Sequence, residues 1–408
     1  MIRLGVIGHG GRISSLIQHV FRRVEPDLRV VGIIDPDEAG ARSRLAEVDG
    51  EAAFYGSVDQ LVRRARPDAL AIGTRCNLHT PYAVQVAKYD LPLFLEKPVA
   101  ISMAQVAALE KAFQRSRCPV VVSFPLRVSP LCVLARQHLE AGAVGPPVHV
   151  TALNYVPYGT VYWEAPYRDY QITRGLFLQK ATHDFDYLMY LMDSPIVRVG
   201  AMATRGHVYG GRKRAGLHCS RCDEQLTCLE SPQSRTRNGS GGDRGDHLCL
   251  FSRDLGRGHE LNEDASSAVL EFASGAHGIY TQVFYARRDA ATRGATVSGH
   301  LGTVGFDWYT NQLKYVRHHA PFTAVERAGE GMSHFGGDLE LAYDFIGVIQ
   351  GTARSRCPIE TGLQSVYACL AAKESVEKGR FVDVRQVGGR VRQVGSGGRR
   401  TASRRSRR

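Results

Sequence analysis

A lysine follows an apolar run at Phe94-Leu95-Glu96-Lys97-Pro98, a glycine turn follows another at Gly8-His9-Gly10-Gly11-Arg12, and Asp35 ends a third, Val30-Val31-Gly32-Ile33-Ile34. A lysine at the carboxyl end of a buried parallel strand stands in the crevice where such sheets bind ligands. Its ammonium can donate to a hydroxyl or stabilise developing oxyanion charge. The plainer alternative is a surface lysine, common at strand ends. Glycines between a strand and a helix allow a tight turn and let the backbone approach a pyrophosphate, whose charge the helix N-terminus meets. Ile13 replaces the third glycine of the dinucleotide fingerprint, so the turn alone is a weak signal. Asp35 strengthens it, because an acid at the end of the second strand hydrogen-bonds the adenosine ribose and repels a 2′-phosphate. Strand, glycine turn, helix, strand and acid arrive in order, which favours NAD over NADP and outweighs a role for Asp35 confined to the Asp-Pro-Asp turn.

Cys219-x2-Cys222-x5-Cys228-x20-Cys249 gathers four of the nine cysteines; Cys76, Cys118, Cys132, Cys357 and Cys369 are scattered. Four thiolates can bind zinc tetrahedrally and substitute for a hydrophobic core. An iron–sulfur cluster takes the same ligands and is the lesser expectation, since the second pair is not Cys-x-x-Cys. Free thiols in a mobile loop are the remaining alternative. The odd cysteine count argues for reduced thiols, and the first glycine turn arrives too early for a secretory signal. The expected location is the cytoplasm.

Around these residues the first 125 positions alternate short β-branched runs with helix-like stretches, the pattern of a parallel sheet covered on both faces. Strands are predicted at Ile2 to Ile7, Arg29 to Ile34, Ala69 to Ile72, Leu93 to Leu95 and Val120 to Ser123, with helices at Ser14 to Val24, Pro81 to Lys88 and Met103 to Arg115. After a helical connector near Ser129 to Ala141, longer alternating strands follow without intervening helices, which predicts an antiparallel sheet. They are Val148 to Tyr155, Ile196 to Thr204, Ala268 to Phe272, His277 to Phe284, Ala295 to Ser298 and Leu313 to Val316. Helices are expected near Lys180 to Met192, Leu339 to Gln350 and Leu363 to Glu377. The expected organisation is an α/β chain with a doubly wound N-terminal Rossmann domain over 1–125 and a C-terminal α+β domain over 126–385. A polar loop insertion spans 206–258, and its length without structure would be unusual in a compact domain.

The 408 residues are 43% hydrophobic and 23% charged, a globular composition long enough for two cores. No apolar run reaches the roughly 18 residues of a membrane helix. From Arg385 onward the chain carries nine arginines and no acid, so the tail supplies most of the formal net charge of +12. The body is nearly balanced, which argues against nucleic acid as a partner, and a disordered basic tail is expected over 386–408.

Gly-x-Gly-Gly-Arg at 8 to 12, Asn77-Leu78-His79 after the strand ending at Gly73, and Glu96-Lys97-Pro98 resemble the signature of the glucose-fructose oxidoreductase, inositol dehydrogenase and MocA (Gfo/Idh/MocA) oxidoreductases. The likeness runs to about residue 385 and implies the two-domain plan above, with an open, mainly antiparallel sheet that forms a homodimer or homotetramer interface. It implies a cofactor site formed by Gly8, Gly10, Gly11, Arg12, Asp35, Thr74, Asn77, His79, Glu96 and Lys97. Glu-Lys-Pro lies beside the nicotinamide in this family, often with a cis peptide before the proline, and the lysine assists proton transfer.

A further family helix is similar to Gly175-Leu-Phe-Leu-Gln179-Lys180-Ala-Thr-His183-Asp184-Phe-Asp186. Spacings of three and four let Lys180, His183 and either Gln179 or Asp186 converge. The resemblance makes His183 the general base, with Lys97 and Lys180 as its catalytic partners; without it, a buried histidine bonded to a neighbour is the plainer reading. The family's aspartate four residues before the histidine is replaced by Gln179, which can orient an imidazole but cannot take its proton. The substrate side is expected to comprise Arg127, Trp163, Arg168, Gln179, Lys180, His183 and His334, with Tyr162 and Arg174 nearby. His334 and Asp338 match a His-x-Gly-Gly-Asp turn of related sequences, although Asp338 could serve only as an N-cap.

The leading expectation is hydride transfer between NAD and a secondary alcohol of a sugar, sugar derivative or cyclitol. Two alternatives are carried: a glycosidase- or lyase-type enzyme that recycles its NAD internally, and a non-catalytic dinucleotide sensor whose basic tail meets nucleic acid.

Overall fold

The computed structural model describes residues 1–164, 166–239, 245–255, 260–329 and 333–389. The expected basic tail lies outside the described residues from 390 onward. Runs of Val, Ile, Leu and Ala form the first sheet: β1 (Arg3–Ile7), β2 (Arg29–Ile34), β3 (Ala53–Phe54), β4 (Ala69–Ile72), β5 (Leu93–Leu95) and β6 (Val120–Val122). Every residue of β4, β5 and β6 is buried, as a sheet covered on both faces requires. All pairings are parallel, in the order β3-β2-β1-β4-β5-β6. The chain reverses its direction of travel between β1 and β4, so their carboxyl ends open the crevice where doubly wound sheets bind ligands.

The covering helices begin with α1 (Gly11–Leu16), which runs on through a wider turn at Ile17–Phe21 to Val24, then α2 (Cys76–Val86) and α3 (Met103–Phe113). Pro81 inside α2 removes the N–H that would bond the carbonyl of Asn77, and the Gln105 side chain donates to that oxygen instead at 2.9 Å. The connector is α4 (Pro130–Glu140).

The second sheet comprises β7 (His149–Tyr155), β8 (Ile196–Thr204), β9 (Ala265–Phe272), β10 (His277–Val283), β11 (Thr292–Ser298), β12 (Gly302–Asp307), β13 (Gln312–Arg317), β14 (Thr323–Glu326) and β15 (Val382–Asp383). Their order is β14-β13-β12-β11-β7-β10-β9-β8-β15, and only the β7–β10 pair among them is parallel. Burial alternates along β9, β10 and β12, so one face is packed and the other open. Helices α5 (Ala181–Met192), α6 (Gly337–Ile349) and α7 (Ile359–Lys378) cover it, and one contiguous apolar core joins both sheets.

The insertion differs from the expected structureless loop. It contains the helix Pro232–Asn238 and the turn Cys219–Arg221, and Tyr209, Leu250 and Leu255 pack with Trp163, Leu176 and Phe284 in a second core. Its apolar residues are few: Tyr209, Leu250 and Leu255 find partners outside the insertion, while Leu226 and Leu229 stay exposed.

Candidate active site

Gly8 ends β1 with a φ of +80°, and a Cβ there would lie 2.7 Å from Thr74 Cα. Only glycine fits. Gly10 precedes α1 in extended conformation and no side chain caps the helix, while a Cβ at Gly10 or Gly11 would meet no protein atom within 4 Å. The first N–H groups of α1 therefore face an uncrowded cradle, which fits a pyrophosphate. The missing third glycine is compensated from the neighbouring strand: a Cβ on Gly73 would stand 2.7 Å from Ile13 Cβ, so Gly73 provides the room that Ile13 uses. Asp35 accepts N–H bonds from His9 at 2.8 Å and Asp37 at 2.9 Å, which fixes its carboxylate at the end of β2.

Lys97 follows β5, with a cis peptide to Pro98, and its Nζ donates to the Gln179 carbonyl at 2.7 Å. Burial, with Lys180 and Arg293 adding to it, pulls its pKa down to about 8. Glu96 is buried and accepts from Ser123 Oγ at 3.1 Å and Arg12 Nε at 3.3 Å. His79 is held between the carbonyl oxygens of Pro98 (2.8 Å) and Thr74 (3.1 Å), bracing the two loops that flank the crevice.

The helix expected to run through Gln179 breaks at Lys180, where φ is −114°, and α5 begins at Ala181. Lys180 turns to the Tyr158 hydroxyl, donating at 2.8 Å. Burial would raise the Tyr158 pKa, but the charges of Lys180 and Arg293 outweigh it and the phenol is lowered; burial also lowers Lys180. His183 is buried, with Nδ1 lacking a partner, and burial plus the charges of Lys97 and Arg293 hold it well below the usual imidazole range. Gln179 Oε1 and Asn77 Oδ1 are likewise buried without partners. Unsatisfied polar atoms are costly inside a protein, and a polar group of a ligand reaching His183 Nδ1 would remove that cost there. His334 lies 6.1 Å from His183, ring centre to ring centre, and bonds Asp338 at 3.0 Å.

Other expected site residues are engaged elsewhere. Arg12 forms a bidentate pair with Asp338 (2.6 and 2.8 Å), joining α1 to α6 instead of reserving its guanidinium for a cofactor. Arg127 bonds Asp186 at 3.1 Å, which also removes Asp186 as an alternative to Gln179. Trp163 is fully buried, its ring centre 4.4 Å from that of Tyr209, and offers no face to a sugar. Arg168 bonds Ser252 and Asp254 of the insertion. Asp184, adjacent to His183, pairs with Arg293 at 2.8 Å inside the core. Tyr158 and Arg293 are the residues that sequence reasoning missed. A tyrosine between Pro157 and Gly159 directly after a strand, and an arginine at an inward position of β11, were the available signals.

Residues 2–124 match the model of an oxidoreductase family with an NAD-binding Rossmann fold, and residues 133–305 match the GFO/IDH/MocA C-terminal domain. The chain belongs to the Gfo/Idh/MocA family. Within that family it is 28% identical over 233 residues to inositol 2-dehydrogenase 1 of Saccharopolyspora erythraea, covering 56% of this chain and 64% of that protein. It is 25% identical over 203 residues to myo-inositol 2-dehydrogenase of Thermotoga maritima, covering 49% and 58%. The chain thus matches less than two thirds of the length of these Gfo/Idh/MocA relatives. Levoglucosan dehydrogenase, solved with NADH and L-sorbose, shares the fold with a TM-score of 0.73 at 18% identity, over 95% of this chain and 100% of that one. Its N-terminal domain is the NAD-binding Rossmann domain of this oxidoreductase family. No helix among the described residues is long and apolar enough to cross a membrane.

Proposed function

We propose that this chain is an NAD-dependent dehydrogenase oxidising a secondary alcohol of a sugar, sugar derivative or cyclitol, with Lys97 taking the hydroxyl proton and His183 orienting the hydroxyl. The observation that carries the reading is the meeting of Lys97, Lys180 and the unpartnered His183 Nδ1 beyond the Gly8 turn. NAD bound at that turn supplies the hydride acceptor. Asp35 favours it over NADP by repelling a 2′-phosphate.

A general base works best with a pKa near the operating pH. Lys97, at about 8, meets that requirement, whereas burial, with the surrounding cations adding to it, holds His183 too low to be a strong base. The proton role expected for His183 therefore moves to Lys97, and neutral His183 accepts a hydrogen bond that orients the hydroxyl. Lys180, held by Tyr158, donates to a second substrate oxygen. The similarity to inositol dehydrogenases favours a polyhydroxylated ring. Exposed Leu153, Val269 and Ile279 on the open sheet face support a homo-oligomer.

The test is absorbance of NADH as the protein and NAD⁺ meet a panel of inositols, sugars and sugar acids, with His183→Ala as control. A rise with one class, reduced in the variant, is expected. No rise despite NAD binding shifts the reading to internal recycling or to a sensor.

A further inference from the structure

The insertion brings its four cysteines to one place. Segments around His218 and Leu248 pair as a short antiparallel ribbon: the Cys249 N–H donates to the Leu217 carbonyl at 2.7 Å, and the Cys219 N–H to the His247 carbonyl at 2.9 Å. Cys219 and Cys222 bracket one turn, in which the Cys222 N–H reaches the Cys219 carbonyl at 3.1 Å. All four cysteines line a single small cavity of about 20 Å³, with Lys213 and Phe251 at its edge. Cys219, Cys222 and Cys249 are buried, Cys228 is half-buried, and all are free thiols.

Three features distinguish this cluster from cysteines in a core. The cavity has room for about one water-sized atom, the space a single ion takes. The Phe251 N–H points at Cys249 Sγ, 3.4 Å away, a donor that would stabilise a metal-bound thiolate. The Lys213 ammonium, paired with Glu224, supplies positive charge beside an assembly that four thiolates and a divalent ion would leave at −2. Among the described residues no three His, Cys, Asp or Glu side chains already stand in ligating positions. Thiols must lose their protons before they ligate a metal, so ligating distances are not required of the protonated cluster.

We propose that Cys219, Cys222, Cys228 and Cys249 bind one structural zinc ion, releasing four thiol protons to solvent and fastening the insertion. The local apolar cluster is only Leu217, Cys222 and Cys249 with Phe251 against them, too small to hold the segment alone. From this anchor the order propagates through fully buried Arg235, which bonds Glu164 at 2.5 Å, Thr160 at 2.9 Å and His247 at 2.8 Å. Thr160 and Glu164 follow Tyr158, so the zinc steadies the loop that carries the Lys180 partner.

Metal analysis of the full chain purified under reducing conditions from zinc-supplied cells tests this independently of the dehydrogenase reading. The expected result is one zinc per chain, four thiols protected until the metal is displaced by a mercurial, and thiolate-to-metal charge-transfer absorption after exchange for Co²⁺. Cys228→Ser, at the least buried ligand, should lose most of the bound zinc. If that variant does not fold, the stoichiometry and cobalt spectrum of the unaltered chain decide. Folded protein without stoichiometric zinc, four freely titrating thiols, disulfides among these cysteines, or iron with acid-labile sulfide would each overturn the proposal.

Discussion

In the crevice of the parallel sheet, the chemistry-bearing side chains are fixed by backbone: Lys97 donates to a carbonyl, His79 sits between two, and Gly8 and Gly73 create space by having no side chain. In the insertion, order comes from side chains meeting over long sequence distances, as with Arg235 and Glu164 or Arg168 and Asp254. The first arrangement also joins distant positions, Lys97 and Gln179 being 82 apart, but Gly8, Gly73 and Lys97 stand just after strands, so short strand-end motifs mark it. The second depends on partners up to 86 residues apart, and no local pattern announces them.

Substitutions can break this contrast. The largest effect is expected at Lys97. Lys97→Ala should lower turnover by about 10²- to 10⁴-fold, the usual contribution of a positioned acid–base group, while NAD affinity measured by calorimetry is retained. Because the base must be neutral, wild-type oxidation should rise with pH through about 8 and level off above it, a limb absent from the variant. Unchanged turnover would remove Lys97 from the chemistry. Next is Arg235→Leu. Leaving Glu164 buried and unpaired should cost about 3–5 kcal/mol in denaturant unfolding, with NAD binding still measurable in whatever remains folded. Gly73→Ala sharpens the crevice side: the new Cβ strikes Ile13, and overpacking should cost about 1–3 kcal/mol and weaken NAD binding. The smallest effect is expected for Tyr158→Phe, about tenfold in kcat/KM through loss of a hydrogen bond to a charged group. Its pH profile should shift with Lys180, which a purely structural role would not produce.

The same contrast explains what could be read from the sequence. Continuous Val/Ile/Leu runs bounded by Gly, Asp or Pro made β1, β2, β4, β5 and β6 legible within a residue or so, and α4 to α7 carried clear helical periodicity. Strands β3 and β15 have two residues each, β14 is a short edge, and β12 contains Gly302 and Gly305, so none showed a usable pattern. The turn after β1 was legible through Gly8 and Gly10, because a glycine turn reports its own geometry. Trp163 and Arg127 look like ligand-binding residues by type, yet tertiary packing gave one to the second core and the other to Asp186. Tyr158 and Arg293 reach the site only because β7 and β11 are neighbours, a pairing visible once the sheet is assembled.

The most direct measurement is transfer of deuterium from carbon-deuterated inositols and sugars to the nicotinamide, read by mass spectrometry of the cofactor in wild type and Lys97→Ala. The account predicts label in NADH from one polyol class with wild type and almost none with the variant. Saturating NAD binding with no label from any secondary-alcohol carbon would contradict it.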